Sequence, residues 1–273
     1  MIDYLYDETF DGLLTCVFAH YYEEKAAGVY PERLYQPSLL HGARAVVTQP
    51  ERADRVYEAL IRKTPRLTPR KIYYAFLSET PRKENIILNY VILAFRRGPR
   101  LTACRSLPEV LALETASDRV DTELGRFLGF VRFQDMGRFL YAAIAPDHNI
   151  LALLADHFSD RLAGENFMIH DTGRDMALIW NGQEAFQTPF RRAEPLRPGE
   201  DERRFQTLWQ EYFEHITIGE RRNPRLQAQF TPRRYRSRLT EFQRPNKGLF
   251  GNKQSLTEYD SVHDDIGHEI NDG

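Results

Sequence analysis

Phe167-Met168-Ile169-His170-Asp171-Thr172-Gly173-Arg174-Asp175-Met176-Ala177-Leu178-Ile179-Trp180 is the stretch whose reading decides the fold. Two runs rich in β-formers, 167–170 and 176–180, flank Asp171-Thr172-Gly173-Arg174. Asp suits a turn because its carboxylate accepts from the backbone two residues on; Gly suits it because it tolerates positive φ. The segment predicts a β-hairpin. Upstream, residues 130–133 and 139–144 are again β-formers, placed around the turn-like Gln134-Asp135-Met136-Gly137. They predict a second hairpin. Between the hairpins Pro146-Asp147 opens a predicted helix over 148–161, with Ile150, Leu151, Leu154, Ala155 and Phe158 on one face. Hairpin, helix, hairpin implies an antiparallel sheet covered on one face by a helix, an α+β module.

Outward from this core the period changes. Residues 7–22 carry Phe10, Leu13, Leu14, Val17, Phe18 and Tyr21 at helical spacing, with Thr9 placed to cap the first turn. Residues 49–63, 71–77 and 84–95 repeat the helical pattern, and Ser106-Leu107-Pro108-Glu109 starts a helix that runs to about Phe127. Past the second hairpin, 189–198 is a polar connection. Residues 200–220 form a predicted amphipathic helix through Phe205, Leu208, Trp209, Tyr212 and Phe213. The expected organisation is a helical region over 1–128, an α+β region with a C-terminal helix and an Arg-rich stretch over 129–244, and a disordered acidic tail over 245–273.

Charge narrows the function classes. The chain has 37 Lys+Arg against 39 Asp+Glu, which argues against a protein basic throughout. Yet 31 of the 37 are Arg, whose planar fork matches phosphate and carboxylate. Residues 220–244 hold eight Arg against two acids, and 245–273 hold two Lys against six acids. Cys16 and Cys104 stand in no metal-ligand spacing, so no metal centre is expected and both are read as reduced thiols. Met1-Ile2-Asp3-Tyr4 has neither the basic start nor the apolar run of a signal peptide, and no stretch nears ~20 apolar residues. A cytoplasmic location without a membrane partner is expected.

Three constellations suggest chemistry. The first is Arg221, Arg222, Arg225, Arg233, Arg234, Tyr235, Arg236 and Arg238, where guanidinium groups interleave with aromatics. Such a surface bridges phosphates and stacks on unpaired bases; the alternative is a solvated loop whose arginines pair with acids. The second is Phe130 and Arg132 on one face of the predicted first strand, an outline of a base-stacking platform or simply core; Arg161 is read as a further phosphate-binding residue. The third is polar: Asp147, His148, Asp156, His157, Arg161, His170, Asp171, Arg174 and Asp175. His157, His170, Asp171 and Arg174 are the catalytic candidates, a His/Asp pair for acid–base work near neutral pH, with Arg161 as an anion clamp. No phosphate loop, dinucleotide fingerprint or nucleophile elbow accompanies them.

Several motifs occur in a recognisable order: Tyr6-Asp7-Glu8-Thr9-Phe10-Asp11-Gly12-Leu13-Leu14, Phe76-Leu77-Ser78-Glu79, Gly129-Phe130-Val131-Arg132-Phe133, Tyr141-Ala142-Ala143-Ile144-Ala145-Pro146-Asp147-His148, His157-Phe158-Ser159-Asp160-Arg161, Ile169-His170-Asp171 and Pro232-Arg233-Arg234-Tyr235. In this order the sequence resembles a bacterial family named for DNA repair or DNA metabolism and built on a domain of unknown function. The resemblance implies a partner, a radical SAM protein similar to spore photoproduct lyase, which would carry the iron–sulfur cluster and S-adenosylmethionine; none is expected in this chain. One departure stands out: Glu123-Leu124-Gly125-Arg126 has Gly125 where the resemblance leads one to expect His.

The expected function is a DNA-binding accessory protein in DNA repair or modification, working with that partner. The alternatives are a stand-alone enzyme acting on a nucleic-acid base or phosphodiester, and an RNA-binding module. If the acidic tail folds over the arginines, truncation after Arg244 should tighten DNA binding.

Overall fold

The computed structural model describes residues 1–37, 39–191, 202, 233–236 and 238–240. The predicted 200–220 helix, apart from Glu202, and the acidic tail lie outside the described residues. The described residues form a mixed α/β protein with two sheets. It divides into one unit of 1–125 with 146–154 and a second of 126–145 with the residues from Ala155 onward.

The first unit corrects the helical expectation. β1 (Ile2–Tyr6), β2 (Ala26–Pro31) and β3 (Gly42–Ala45) form a parallel sheet in the order β2-β1-β3. Parallel neighbours need a crossover, and α1 (Phe10–Tyr22) supplies it between β1 and β2. Alternation along β1 sends Tyr4 and Tyr6 into the core, where the Tyr4 hydroxyl donates to the Glu24 carbonyl at 2.7 Å. β2 and β3 read AAGVYP and GARA, and Ala and Gly are poor strand formers, so neither announces itself. Their pairing with β1 makes them strands.

The helices follow their stripes closely. α2 (Pro50–Lys63) begins on a proline in its first turn, α3 spans Thr68–Leu77, and α4 spans Lys83–Arg97. α4 stops at Gly98, whose φ of +54° suits glycine, and Pro99 comes next. Leu13, Leu14, Val17, Leu60, Ile72, Ile87 and Val91 join Tyr4 and Tyr6 in one core.

α5 (Pro108–Phe130) is longer than expected, and its last residues belong to the second unit. The helical spacing of Val120, Leu124 and Phe127 carries through, and the Val131 amide still donates to the Phe127 carbonyl at 3.1 Å. The strand expected over 130–133 is therefore a helix end and a connection, and the platform face with Phe130 and Arg132 does not form. Its hairpin survives in shortened form, with β4 (Gln134–Asp135) against β5 (Leu140–Ile144). Gly137 at φ +81° takes the turn.

α6 is Ala155–Arg161, preceded by a 3-10 turn at Leu151–Leu154, where one helix over 148–161 was expected. β6 (Phe167–Asp171) and β7 (Met176–Trp180) form the predicted hairpin. β8 (Ala185–Pro189), unpredicted, pairs with β7. The order is β4-β5-β6-β7-β8, and β5 runs parallel to β6. The sheet is thus mixed rather than antiparallel, because the intervening connection returns the chain to begin β6 in the same direction as β5. Phe158 of α6 is buried, and its ring meets Phe133, which in turn meets Phe167.

Candidate nucleic-acid interface

Within the second unit the arginine-rich stretch contains one described helical turn, α7 (Arg233–Arg236). Tyr235 holds it in place. The residue is 4% exposed, and its ring stands edge-on to Phe127 at 5.1 Å and tilted against Phe130 at 5.9 Å. Leu239 is buried beside it in sequence, and an Arg238 guanidinium nitrogen donates to Thr172 Oγ1 at 2.8 Å. Tyr235 is therefore an anchor in an aromatic cluster, not a free face for base stacking. Arg236 and Arg238 remain partly exposed. Arg221, Arg222 and Arg225 lie outside the described residues.

Thr172 sits in the turn after β6, and Asp171 builds that turn. With no exposed surface, its Oδ1 accepts from the Gly173 amide at 2.9 Å and the Arg174 amide at 3.3 Å. Its Oδ2 accepts from the Arg174 guanidinium at 3.1 Å. A buried carboxylate needs this kind of compensation. Neighbouring residues on a strand point to opposite faces, so His170 does not join Asp171 as a dyad. His170 shares a 2.9 Å hydrogen bond between Nδ1 and the Tyr141 hydroxyl, and its ring meets the edge of Phe190. His157 is exposed on α6, with its ring edge-on to Phe158, and Arg161 is exposed in the last turn of the same helix. Arg132 donates to the Gly129 carbonyl at 2.7 Å, capping the end of α5. The candidate catalytic residues thus resolve into a turn, a buried pair and an exposed helix face.

In the first unit, Glu123 of α5 is 3% exposed and accepts from the Asp147 and His148 amides at 2.9 and 2.8 Å. The segment whose missing histidine stood out therefore fixes the Pro146–His148 loop through its glutamate.

The sequence reading did not single out the carboxyl edge of the parallel sheet, where α/β folds commonly place ligands. There Asp7 Oδ1 accepts from the Thr9 amide at 3.1 Å and the Thr9 hydroxyl at 2.6 Å, while Oδ2 accepts from the Thr48 hydroxyl at 2.8 Å. Partial burial works against ionisation, but the Thr9 and Thr48 bonds outweigh it and hold the Asp7 carboxyl below its usual range. Glu8, at φ +63°, makes a two-pronged ion pair with Arg33 at 2.7 and 2.8 Å, which holds its carboxyl low as well. Beneath them the Tyr6 hydroxyl donates to buried Glu84 at 3.0 Å, and burial together with that carboxylate pushes the phenol up. The signal was present in Tyr6-Asp7-Glu8-Thr9, but without β1 in view nothing marked it as a sheet edge.

Both cysteines are free thiols, and burial pushes Cys16 up to about 12, leaving it unreactive near neutral pH. Among the described residues no group of three or more His, Cys, Asp or Glu is arranged to hold a metal ion. No helix among them is long and apolar enough to cross a membrane.

Residues 81–241 match a family described as a domain of unknown function, DUF4130. The chain belongs to that family. The DUF4130 match starts at the loop before α4 and takes in all of α5, the mixed sheet and α7, so the anchored arginine turn is part of the domain. β1 to β3 and the first three helices precede it. No curated protein and no solved structure matches the chain.

Proposed function

We propose that this DUF4130 protein is a DNA-binding accessory factor in DNA repair or modification, working beside a radical SAM enzyme that carries the iron–sulfur chemistry. The observation that carries the reading is the anchoring of the short turn around Tyr235. Tyr235 and Leu239 are buried, so the backbone that carries Arg233, Arg234, Arg236 and Arg238 is tied to the domain. Fixing a cationic segment lowers the ordering cost of each phosphate contact. Arg233, Arg234, Arg236 and Arg238 put four positive charges within six residues. The enzyme alternative has less support, because Asp171 and Arg174 are spent on each other and on their own turn.

The test is a fluorescence-anisotropy titration of the full chain against intact and ultraviolet-irradiated thymine-containing duplexes between 50 and 200 mM salt, concentrations over which about six or more phosphate contacts produce a steep loss of affinity. The expected result is tighter binding to the irradiated duplex and a steep salt dependence. Arg233→Gln with Arg234→Gln should lower the slope of log K against log salt by about two. A flat salt response, or equal binding by the double variant, overturns the reading.

A further inference from the structure

The first unit contains a cleft that plays no part in the interface above. It is about 580 Å³ and is formed by α1, α2, α3 and the connection between the last two. Its residues fall between Phe10 and Tyr73, before the DUF4130 match begins. Pockets of roughly 300–1,000 Å³ suit small organic ligands, and the lining of this one is unusual for a helix junction. Phe10 and Tyr73 pack edge to face at 5.1 Å on one side. Tyr57 and Ile61 of α2 stand on the other, 40% and 55% exposed, although they are large and apolar. Folding alone gives no reason to leave such side chains uncovered in a concavity.

The polar groups are of two kinds. Asp54 of α2 and Asp11 of α1 are exposed carboxylates of the lining, beside the aromatic residues. Arg66 is exposed at the connection and makes no ion pair among the described residues. Arg70 is different, since Asp121 holds it at 3.0 Å and its guanidinium lies over the Tyr74 ring. The cleft thus combines aromatic faces, two carboxylate acceptors and one uncommitted cation. A ligand that satisfies all three is flat and aromatic, has a hydrogen-bond donor edge, and carries an anion.

We infer that this cleft binds an unpaired nucleotide of single-stranded DNA. The base stacks against Tyr57, its amino edge donates to Asp54, and the adjoining phosphate meets Arg66. Stacking of this kind tolerates any base, and a carboxylate adds a preference for bases with an exocyclic amine. The inference rests on the nucleic-acid reading above and adds a second site to it, specific for the unpaired strand.

The test uses the full chain with single-stranded oligonucleotides bearing 5-iodo-deoxyuridine. Photocrosslinked peptides are mapped by mass spectrometry, and affinities are measured in parallel for single strand and duplex. Crosslinks should fall on Tyr57, Tyr73 or Phe10. Tyr57→Ala should weaken single-strand binding by at least about tenfold and leave duplex binding unchanged, and Arg66→Gln should weaken the single strand alone. Both positions are exposed, so unchanged thermal melts will show that the variants fold. Crosslinks confined to 221–238 with full single-strand affinity in both variants would overturn the inference while the reading above stands. No affinity of the parent chain for any DNA at 50 mM salt would overturn both.

Discussion

Asp7 and Asp171 hold the same position in two different sheets. Each lies at the carboxyl end of the middle strand, Asp7 just past β1 and Asp171 closing β6. Each comes directly after a buried ring, Tyr6 or His170. Each accepts from the amide two residues on, at 3.1 and 2.9 Å, which starts a turn. The path of the chain beyond that turn sets them apart. After Asp7 the chain enters a helix, and Thr9 turns its hydroxyl to the Gly12 amide at 2.9 Å as an N-cap. After Asp171 the chain doubles back into β7, Asp175 takes φ +51°, and Arg174 folds onto the carboxylate. Asp7 stays exposed at the edge of a parallel sheet, whereas Asp171 is sealed into a hairpin turn. An identical local device therefore yields an accessible carboxylate in one unit and a structural one in the other.

The largest expected effect comes from the sealed member. Asp171→Ala removes the acceptor for two amides and the ion pair with Arg174, and breaking a buried pair in this way costs about 3 kcal/mol. Asp7→Ala costs about 1 kcal/mol, the usual loss for a capping or turn hydrogen bond at an exposed position. Urea unfolding of the two variants side by side measures the ratio. Equal losses would break the comparison, because burial would then not be what separates the two aspartates.

A second variant probes the space around Asp7. A Cβ built on Gly12 would stand 2.2 Å from Asp7 Oδ1, closer than real contacts allow. Gly12→Ala should therefore destabilise by about 1–2 kcal/mol even though alanine favours a helix by about 1. In the Asp7→Ala background the same change should cost less, because the nearest clashing oxygen is gone, although Thr48 Oγ1, at 2.8 Å, still crowds the position; a double-mutant cycle reads the coupling. Strictly additive effects would mean that Asp7 does not fill the space over α1.

The two regions were not equally legible. Around Asp171 the sequence carried the fold well: β7 occupies the predicted 176–180, β6 extends the predicted 167–170 by one residue, and the turn between them uses the Asp and Gly read for it. Strong β-formers and turn residues are local signals. Around Asp7 only half was legible. The helix stripe and the Thr9 cap were readable, but β2 and β3 are short and rich in Ala and Gly, and their pairing is set by distant partners. With the sheet unseen, Asp7 had no visible role, while Asp171, next to a histidine, looked catalytic. Phe130 to Phe133 erred for a related reason: aromatic residues suit a strand or a buried helix end, and the longer pattern of α5 decided it. Tyr235 could be read as exposed because its partners, Phe127 and Phe130, are about a hundred residues earlier in the chain.

The smallest effect is a pH dependence, and the hydrogen bonds set its sign. Thr9 and Thr48 hold the Asp7 carboxyl below its unfolded value, which is about 4. The folded state then binds its proton less readily than the unfolded chain does. Asp7 therefore contributes stability that is fully present above the unfolded value and is lost as pH falls through the lower folded one. Glu8, held low by Arg33, acts in the same direction. Asp7→Asn removes only the first contribution, so the difference in stability between parent and variant isolates it. That difference should be about 0.5 kcal/mol at pH 6, kept small because water screens an exposed carboxylate. It should shrink towards zero by about pH 3 as both chains come to present an uncharged group. A difference that stays constant from pH 6 to pH 3 would mean that Thr9 and Thr48 hold the side chain without regard to its charge. Asp7 would then be a turn residue of the same kind as Asp171, and exposure at the sheet edge would not distinguish the two.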